Sequence, residues 1–341
     1  MQITTVGIDL AKNVFQVHGV DDHGQVVLRK ALKRSQVMTF FAQLPVCLIG
    51  MEACGSAHYW ARKLQALGHT VRLMAPQFVK PYVKTNKNDA ADAEAICEAV
   101  QRPSMRFVAV KTAEQQAVLS LHRARQGFVK ARTATANQIR GLLSEFGITL
   151  PPGIAHLNMV CERMAEEALP ASFRRLIDDL LCHYRQLDTR IIELEREIHA
   201  WHRSSDTSQR LAAIPGVGLL TATAVVASVG DARQFKNARQ MAAFLGLVPR
   251  QHSSGGKPTL LSISKRGDVY LRTLMIHGAR SVLHHAAARP NADQLWHVQV
   301  MQRRNRNIAA VALANKNART MWALLVRAPA YDPQHRAAQA A

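Results

Sequence analysis

An apolar strand that ends in a lone carboxylate is costly to fold, and this chain carries two of them. Residues 2–10 are rich in β-branched side chains and hold one acid, Asp9; residues 46–52 are again apolar and end on Glu52. An isolated carboxylate taken out of water needs a cation or hydrogen-bond donors. A third acidic feature follows in residues 86–96, which read as the opening turns of a helix. Asn86 or Asn88 can cap it, its alanines and glutamate favour it, and Pro103 marks its end. On such a helix Asp89 and Asp92 are three residues apart and project from one face. Acids in a first helical turn also complement the helix dipole. That explains the pair by itself, but not two strand-end acids as well.

The rest of the first third follows the same pattern. Residues 13–20 and 25–28 read as two further strands joined by a turn at Asp21-Asp22-His23-Gly24. Residues 35–44 form a short amphipathic helix, 57–67 a second helix, and 71–74 another strand. This β-β-β-α-β-α order is that of an RNase H-like domain, in which strand-end carboxylates and acids of a later helix gather around magnesium. Gly7-Ile8-Asp9 also opens actin-like ATPases and sugar kinases, but the Gly-rich phosphate loop those enzymes need is missing.

Charge points to the partner. The net charge is +20 at pH 7 and the isoelectric point is near 10.5, which suits a polyanion and most plainly nucleic acid. The excess is uneven: residues 1–100 hold 11 Lys/Arg against 8 Asp/Glu, whereas 250–330 hold 13 against 2. The last region therefore reads as a phosphate-binding surface. No apolar run is long enough to span a bilayer, so a membrane is not the expected partner. Five scattered cysteines without a CxxC pair fit reduced thiols in a cytoplasm.

Residues 111–146 read as a basic helix ended by Pro151-Pro152-Gly153. Phe173, Ile177, Leu180, Tyr184, Leu187, Ile191, Leu194, Ile198 and Trp201 keep an unbroken 4-3 spacing, the seam of a coiled coil. The seam serves either an internal helix pair or a contact between protomers, and assembly of more than one protomer is expected from its length. Ile214-Pro215-Gly216-Val217-Gly218 before the helix at 219–229 resembles a helix-hairpin-helix turn, whose glycine-freed N–H groups meet phosphate. Beyond it lie Pro249-Arg250-Gln251-His252-Ser253-Ser254-Gly255-Gly256-Lys257 and Ile263-Ser264-Lys265-Arg266-Gly267-Asp268-Val269-Tyr270-Leu271-Arg272.

Val6-Gly7-Ile8-Asp9-Leu10-Ala11-Lys12, Gly50-Met51-Glu52-Ala53-Cys54-Gly55 and Asn86-Lys87-Asn88-Asp89-Ala90-Ala91-Asp92-Ala93, together with those two C-terminal stretches, resemble the motifs of the DEDD transposases. These are the enzymes of the IS-one-ten family of bacterial insertion sequences, the bridge-RNA-guided recombinases. The resemblance covers nearly the whole chain to about Pro329. It implies an α/β RuvC-like (RNase H-like) N-terminal domain, then a coiled coil and a mostly helical C-terminal transposase domain. The implied boundaries are 1–110, 111–203 and 204–328, with a flexible tail at 329–341. Asp9, Glu52, Asp89 and Asp92 are the implied catalytic acids and ligands of Mg2+. Ser254 is the implied nucleophile, with Ser253 left open as the alternative. A free serine is a poor nucleophile and needs a base or a metal to activate it. Arg250, Lys257, Lys265, Arg266, Arg272, Gly216 and Gly218 are the expected nucleic-acid contacts. The partners implied are donor and target DNA, a guide RNA and further copies of the chain as a dimer or tetramer, in a cytoplasmic, nucleoid-associated setting. Two other readings of the same residues are a junction nuclease in which water attacks, and a non-catalytic RNA- or DNA-binding scaffold.

Overall fold

The computed structural model describes residues 2–84, 88–286, 295–327 and 330–332. Asn86, one of the two candidate caps, and most of the expected tail lie outside them. The chain divides into two compact units: Met1–Gln116 with Ala227–Met241, and Ala117–Val226 with Ala242–Ala341.

The first unit is built on a six-stranded mixed sheet. Its strands are β1 (Thr5–Asp9), β2 (Val14–Val20), β3 (Val26–Lys33), β4 (Leu48–Glu52), β5 (Thr70–Met74) and β6 (Phe107–Val108), in spatial order β3-β2-β1-β4-β5-β6. The first three strands form an antiparallel meander, β1, β4 and β5 run parallel, and β6 closes the edge antiparallel to β5. This mixed order agrees with the RNase H-like expectation. The third strand runs five residues further than its sequence suggested, because pairing with β2 continues from Val26 to Lys33. Helices α1 (Val37–Ala42), α2 (Ala57–Ala66), α3 (Pro76–Val79) and α4 (Asp89–Val100) connect the strands. Phe15, Phe41, Ile49, Met51, Leu64 and Leu73 are fully buried in one core cluster. Each contributes about 1.5–3 kcal/mol by leaving water. Ile96, Ala99 and Val100 of α4 join Met74 and Val79 in a second cluster.

The second unit begins within the long helix α5 (Ala113–Ser144), followed by α6 (Val160–Ala165) and α7 (Ala171–Ser204). The seam lies on α7, and its Ile177, Leu187, Ile191 and Ile198 are buried. Its partner is in the same chain. Ala136, Ile139 and Leu143 of α5 share a core cluster with Ile177 and Leu181 of α7. Arg125 pairs with Glu195 at 2.5 Å, and Arg132 pairs with Asp188. Seven residues forward on α5 match seven backward on α7, so the two helices run antiparallel. Of the two uses left open for the seam, an internal helix pair is therefore present, with its N-terminal half packed on α5. The period of the apolar residues showed that α7 needed a partner, but not which segment would supply it.

Beyond α7 come α8 (Asp206–Ala212), α9 (Leu219–Val229), α10 (Ala238–Phe244), the hairpin strands β7 (Pro249–Gln251) and β8 (Leu260–Ile263), and α11 (Val269–Ala286), α12 (Trp296–Arg303) and α13 (Arg306–Val326). Gly216 and Gly278 meet backbone to backbone: a Cβ on Gly278 would stand 1.9 Å from the Gly216 carbonyl oxygen. The Asn317 side chain donates to the Pro215 carbonyl at 2.9 Å. Internal packing therefore accounts for the glycine at 216, while Gly218 is exposed and faces open space.

A buried polar chain ties α5, α9 and α11 together within this unit. His122 is 1 % exposed; its Nδ1 lies 2.9 Å from the Tyr270 hydroxyl and its Nε2 lies 3.0 Å from Thr223 Oγ1. Thr223 spends its one proton on the Leu219 carbonyl, so it accepts from His122 Nε2–H, and Nδ1 accepts from Tyr270. Both ring nitrogens are satisfied in the neutral form. Burial, with Arg125 adding to it, pushes the His122 pKa down to about 4. The unfolded chain then binds the extra proton more readily, so stability falls as pH drops from about 6.5 towards 4. The expected loss between pH 7 and pH 5 from this residue is about 2 kcal/mol. Urea unfolding at the two pH values checks it: His122→Gln should remove that component, and an unchanged pH dependence would contradict the assignment.

Candidate active site

Two glycines set the acidic site. Gly7 and Gly50 are direct neighbours in the parallel register of β1 and β4. Both point at α4. A Cβ on Gly7 would lie 2.2 Å from the Ala93 carbonyl oxygen and 2.4 Å from the Cys97 nitrogen, and one on Gly50 would lie 2.8 Å from Val100 Cβ. The helix backbone thus rests directly on the sheet. Side chains alternate along a strand, so Asp9 and Glu52, two residues further on, share the face that α4 covers.

The helix begins where these acids emerge. Asn88 is its cap, in an extended conformation, and its side-chain oxygen accepts from the Ala91 N–H at 2.8 Å. Asp89 and Asp92 occupy the first turn. One carboxylate oxygen from each of Asp9, Asp89 and Asp92 lies within 4.8 Å of the others. Asp89 is exposed and the other two are half-buried, so the trio is open to solvent on one side. Glu52 stands outside this trio, at the end of the adjoining strand. It ends β4 as Asp9 ends β1, each one residue past the Ile8–Met51 pair of the parallel register. Three all-oxygen ligands with open positions suit a hard divalent cation that keeps part of its water shell.

The serine stretch forms the β7–β8 hairpin, with Gln251 paired to Leu260. Ser254 faces Lys257 across a two-residue turn, and the Lys257 N–H donates to the Ser254 carbonyl at 3.1 Å. Gly255 and Gly256 have φ of +56° and +74°, as a type I′ turn demands of both central residues. The two serines differ in their bonding. Ser253 Oγ accepts from Gln251 Nε2 at 2.9 Å and from the Thr259 N–H at 3.2 Å, so it braces the hairpin. Among the described residues, the Ser254 hydroxyl has no hydrogen-bond partner in the chain.

Of the expected cationic contacts, Arg250, Lys257, Lys265 and Arg266 are exposed. Lys265 and Arg266 sit on a loop held by Gly246 and Gly267: a Cβ on Gly267 would be 2.1 Å from the Phe244 carbonyl oxygen. Arg272 is different. It is only 8 % exposed, and its guanidinium turns inward to the Gly267 carbonyl at 3.4 Å. The expectation that Arg272 meets phosphate is corrected: it lies on the packed face of α11 and braces the 264–268 loop. Gly7 and Gly50, which seat α4, were not among the expected site residues. The repeated pattern Gly7-Ile8-Asp9 and Gly50-Met51-Glu52 was the available signal.

The model of a family described as a transposase, of the DEDD class, matches residues 6–148, and that of the Transposase IS116/IS110/IS902 family matches residues 208–296. A Pseudomonas aeruginosa protein called "Probable family 20 transposase" is 58% identical over 337 residues, covering 98% of this chain and 100% of its own. This chain belongs to the IS110 family of DEDD transposases. The transposase for insertion sequence element IS1111A of Coxiella burnetii is 48% identical, covering 96% of this chain and 91% of its own. That for IS1328 of Yersinia enterocolitica is 43% identical, covering 97% and 99%. The protein is therefore an enzyme acting on DNA, and the DEDD class carries a general dependence on a divalent metal. No helix is long and apolar enough to cross a membrane among the described residues.

Proposed function

We propose that this transposase cuts and rejoins DNA strands with two sets of groups: a Mg2+ site on Asp9, Asp89 and Asp92 with Glu52 beside it, and the hydroxyl of Ser254. The observation that carries the reading is the convergence of three carboxylates from β1 and α4 within 4.8 Å of one another. Bound there, Mg2+ would supply charge stabilisation at a phosphoryl oxygen and lower the pKa of an attacking hydroxyl. Asp9, Asp89 and Asp92 would hold the ion. Ser254 Oγ forms a bond to phosphorus as one phosphorus–oxygen bond of the DNA backbone breaks, leaving a free hydroxyl end. The serine–phosphate link keeps the energy of the broken bond, so attack by another hydroxyl end rejoins a strand and releases the serine without ATP. Arg250, Lys257, Lys265 and Arg266 neutralise phosphates, and the exposed Gly218 ahead of α9 suits a backbone contact to phosphate.

By resemblance to its family, the chain would take its DNA sites from an RNA encoded beside its gene and work as a dimer or tetramer. Leu176 and Ile192, 45% and 43% exposed on α7, leave apolar surface for such assembly. The test is cleavage of a labelled element-end duplex by the purified protein, with Mg2+ supplied or chelated and with the flanking RNA present or absent. Cleavage that needs both supports the reading, and cleavage by chelator-treated protein overturns the metal site.

A further inference from the structure

The first unit carries a second polar site. A cavity of about 580 Å³ opens at the β5–β6 edge, lined by Arg62, Gln65, Arg72, Phe107, Lys111 and Thr112 among others. In the strand order, β6 lies three positions from β1, about 14 Å away, so this is not the carboxylate site. Three cations line it and no carboxylate does. Arg62 is anchored, its Nη1 donating to the Lys111 carbonyl at 2.5 Å. The Arg72 guanidinium carbon stands 4.6 Å from the centre of the Phe107 ring, and that of Arg106 stands 5.9 Å from Phe78. Arg72 and Arg106 are exposed, and neither forms an ion pair among the described residues.

Folded surfaces usually intersperse their charges, and a cavity walled by cations and a stacked guanidinium is built for an anion with a flat face. We propose that this edge cavity binds single-stranded nucleic acid, with phosphates held by Arg62, Arg72 and Lys111 and a base stacked on the Arg72–Phe107 pair. A duplex hides its base faces in its own stack, whereas an unpaired base can enter a cavity and stack on an aromatic or guanidinium plane. The volume lies in the range of small-molecule sites. The inference rests on the reading of the chain as a nucleic-acid enzyme and adds a strand-selective site to it.

The experiment compares wild type with Arg72→Glu and the milder Arg72→Ala, each checked by thermal melting. Binding of a short labelled RNA, a single-stranded DNA of the same sequence and the matching duplex is read by fluorescence anisotropy. Arg72→Glu should weaken single-strand binding roughly tenfold or more while duplex binding changes less than about twofold. Arg72→Ala should make the salt dependence for single strands shallower by about 0.7 in log–log slope. The strand weakened more, RNA or DNA, identifies the natural source. Equal losses on duplex and single strand, or no loss on either, overturn the cavity as a strand-selective site. Duplex cleavage measured in parallel reports on the transposase chemistry separately, since failure of the cavity leaves it intact.

Discussion

Asp9→Asn, Asp89→Asn and Asp92→Asn are each expected to lower DNA strand cleavage by more than about a hundredfold. Loss of a group that merely supports a metal ligand already costs about 10–100-fold, and these residues are proposed as the ligands themselves. Folding should survive. The three carboxylates crowd within 4.8 Å of one another, and removing one relieves like-charge repulsion. The metal-free melting temperature should therefore hold or rise. Wild type should melt higher when Mg2+ is added, because a ligand that binds only the native state stabilises it, and the three variants should lose that increment. Glu52→Gln should also lose cleavage but keep more of the Mg2+ increment, since Glu52 stands outside the trio. Differential scanning fluorimetry beside a gel cleavage assay reads both. A melting increment that persists in all three Asp variants would contradict the site.

Gly7→Ala is expected to be as damaging to activity by another route, and it should cost stability too. Its new methyl would stand 2.2 Å and 2.4 Å from backbone atoms of α4, so no side-chain rotation can make room. The helix must lift away from β1, and it carries Asp89 and Asp92. Overpacking of this kind costs about 1–3 kcal/mol or more, and a misplacement near 1 Å at reacting groups costs about a hundredfold in rate. Gly127→Ala gives the contrast. A Cβ there, in the middle of α5, meets nothing within 4 Å, and alanine should stabilise the helix by about 0.8–1 kcal/mol. Urea unfolding of the pair, with cleavage measured alongside, checks both signs. A Gly7→Ala variant of wild-type stability and activity would mean that α4 does not rest on the sheet as described.

The acidic site was readable from sequence because its parts are local. Strand-end acids follow apolar runs, and Asp89 and Asp92 share a face by helical spacing alone. What brings them together was not readable, since it depends on Gly7 touching a helix some 90 residues later. The same holds for α7. Its 4-3 spacing announced a seam, but only the Arg125–Glu195 and Arg132–Asp188 pairs identify α5 as the partner. Arg272 looked like its neighbours in a basic stretch, and only the packing of α11 turns it inward. Ser253 and Ser254 are alike in sequence context; the hydrogen bonds to Gln251 and Thr259 separate them. The edge strand β6, two residues long, is too short to carry a period and gains its strand character from pairing with β5.

In the proposed reaction a serine of this chain cuts DNA, not water, and trapping the covalent product distinguishes the two. A nicked suicide substrate that cannot be rejoined is incubated with the protein and Mg2+, and the products are run on a denaturing gel. Wild type should give a protein–DNA adduct that survives denaturation and whose modified peptide carries the phosphate on Ser254. Ser254→Ala should give none, while Ser253→Ala keeps it at a level set by how well the hairpin stands without its brace. Cleavage by Ser254→Ala that leaves free DNA ends would show that water is the nucleophile and would rule out the serine.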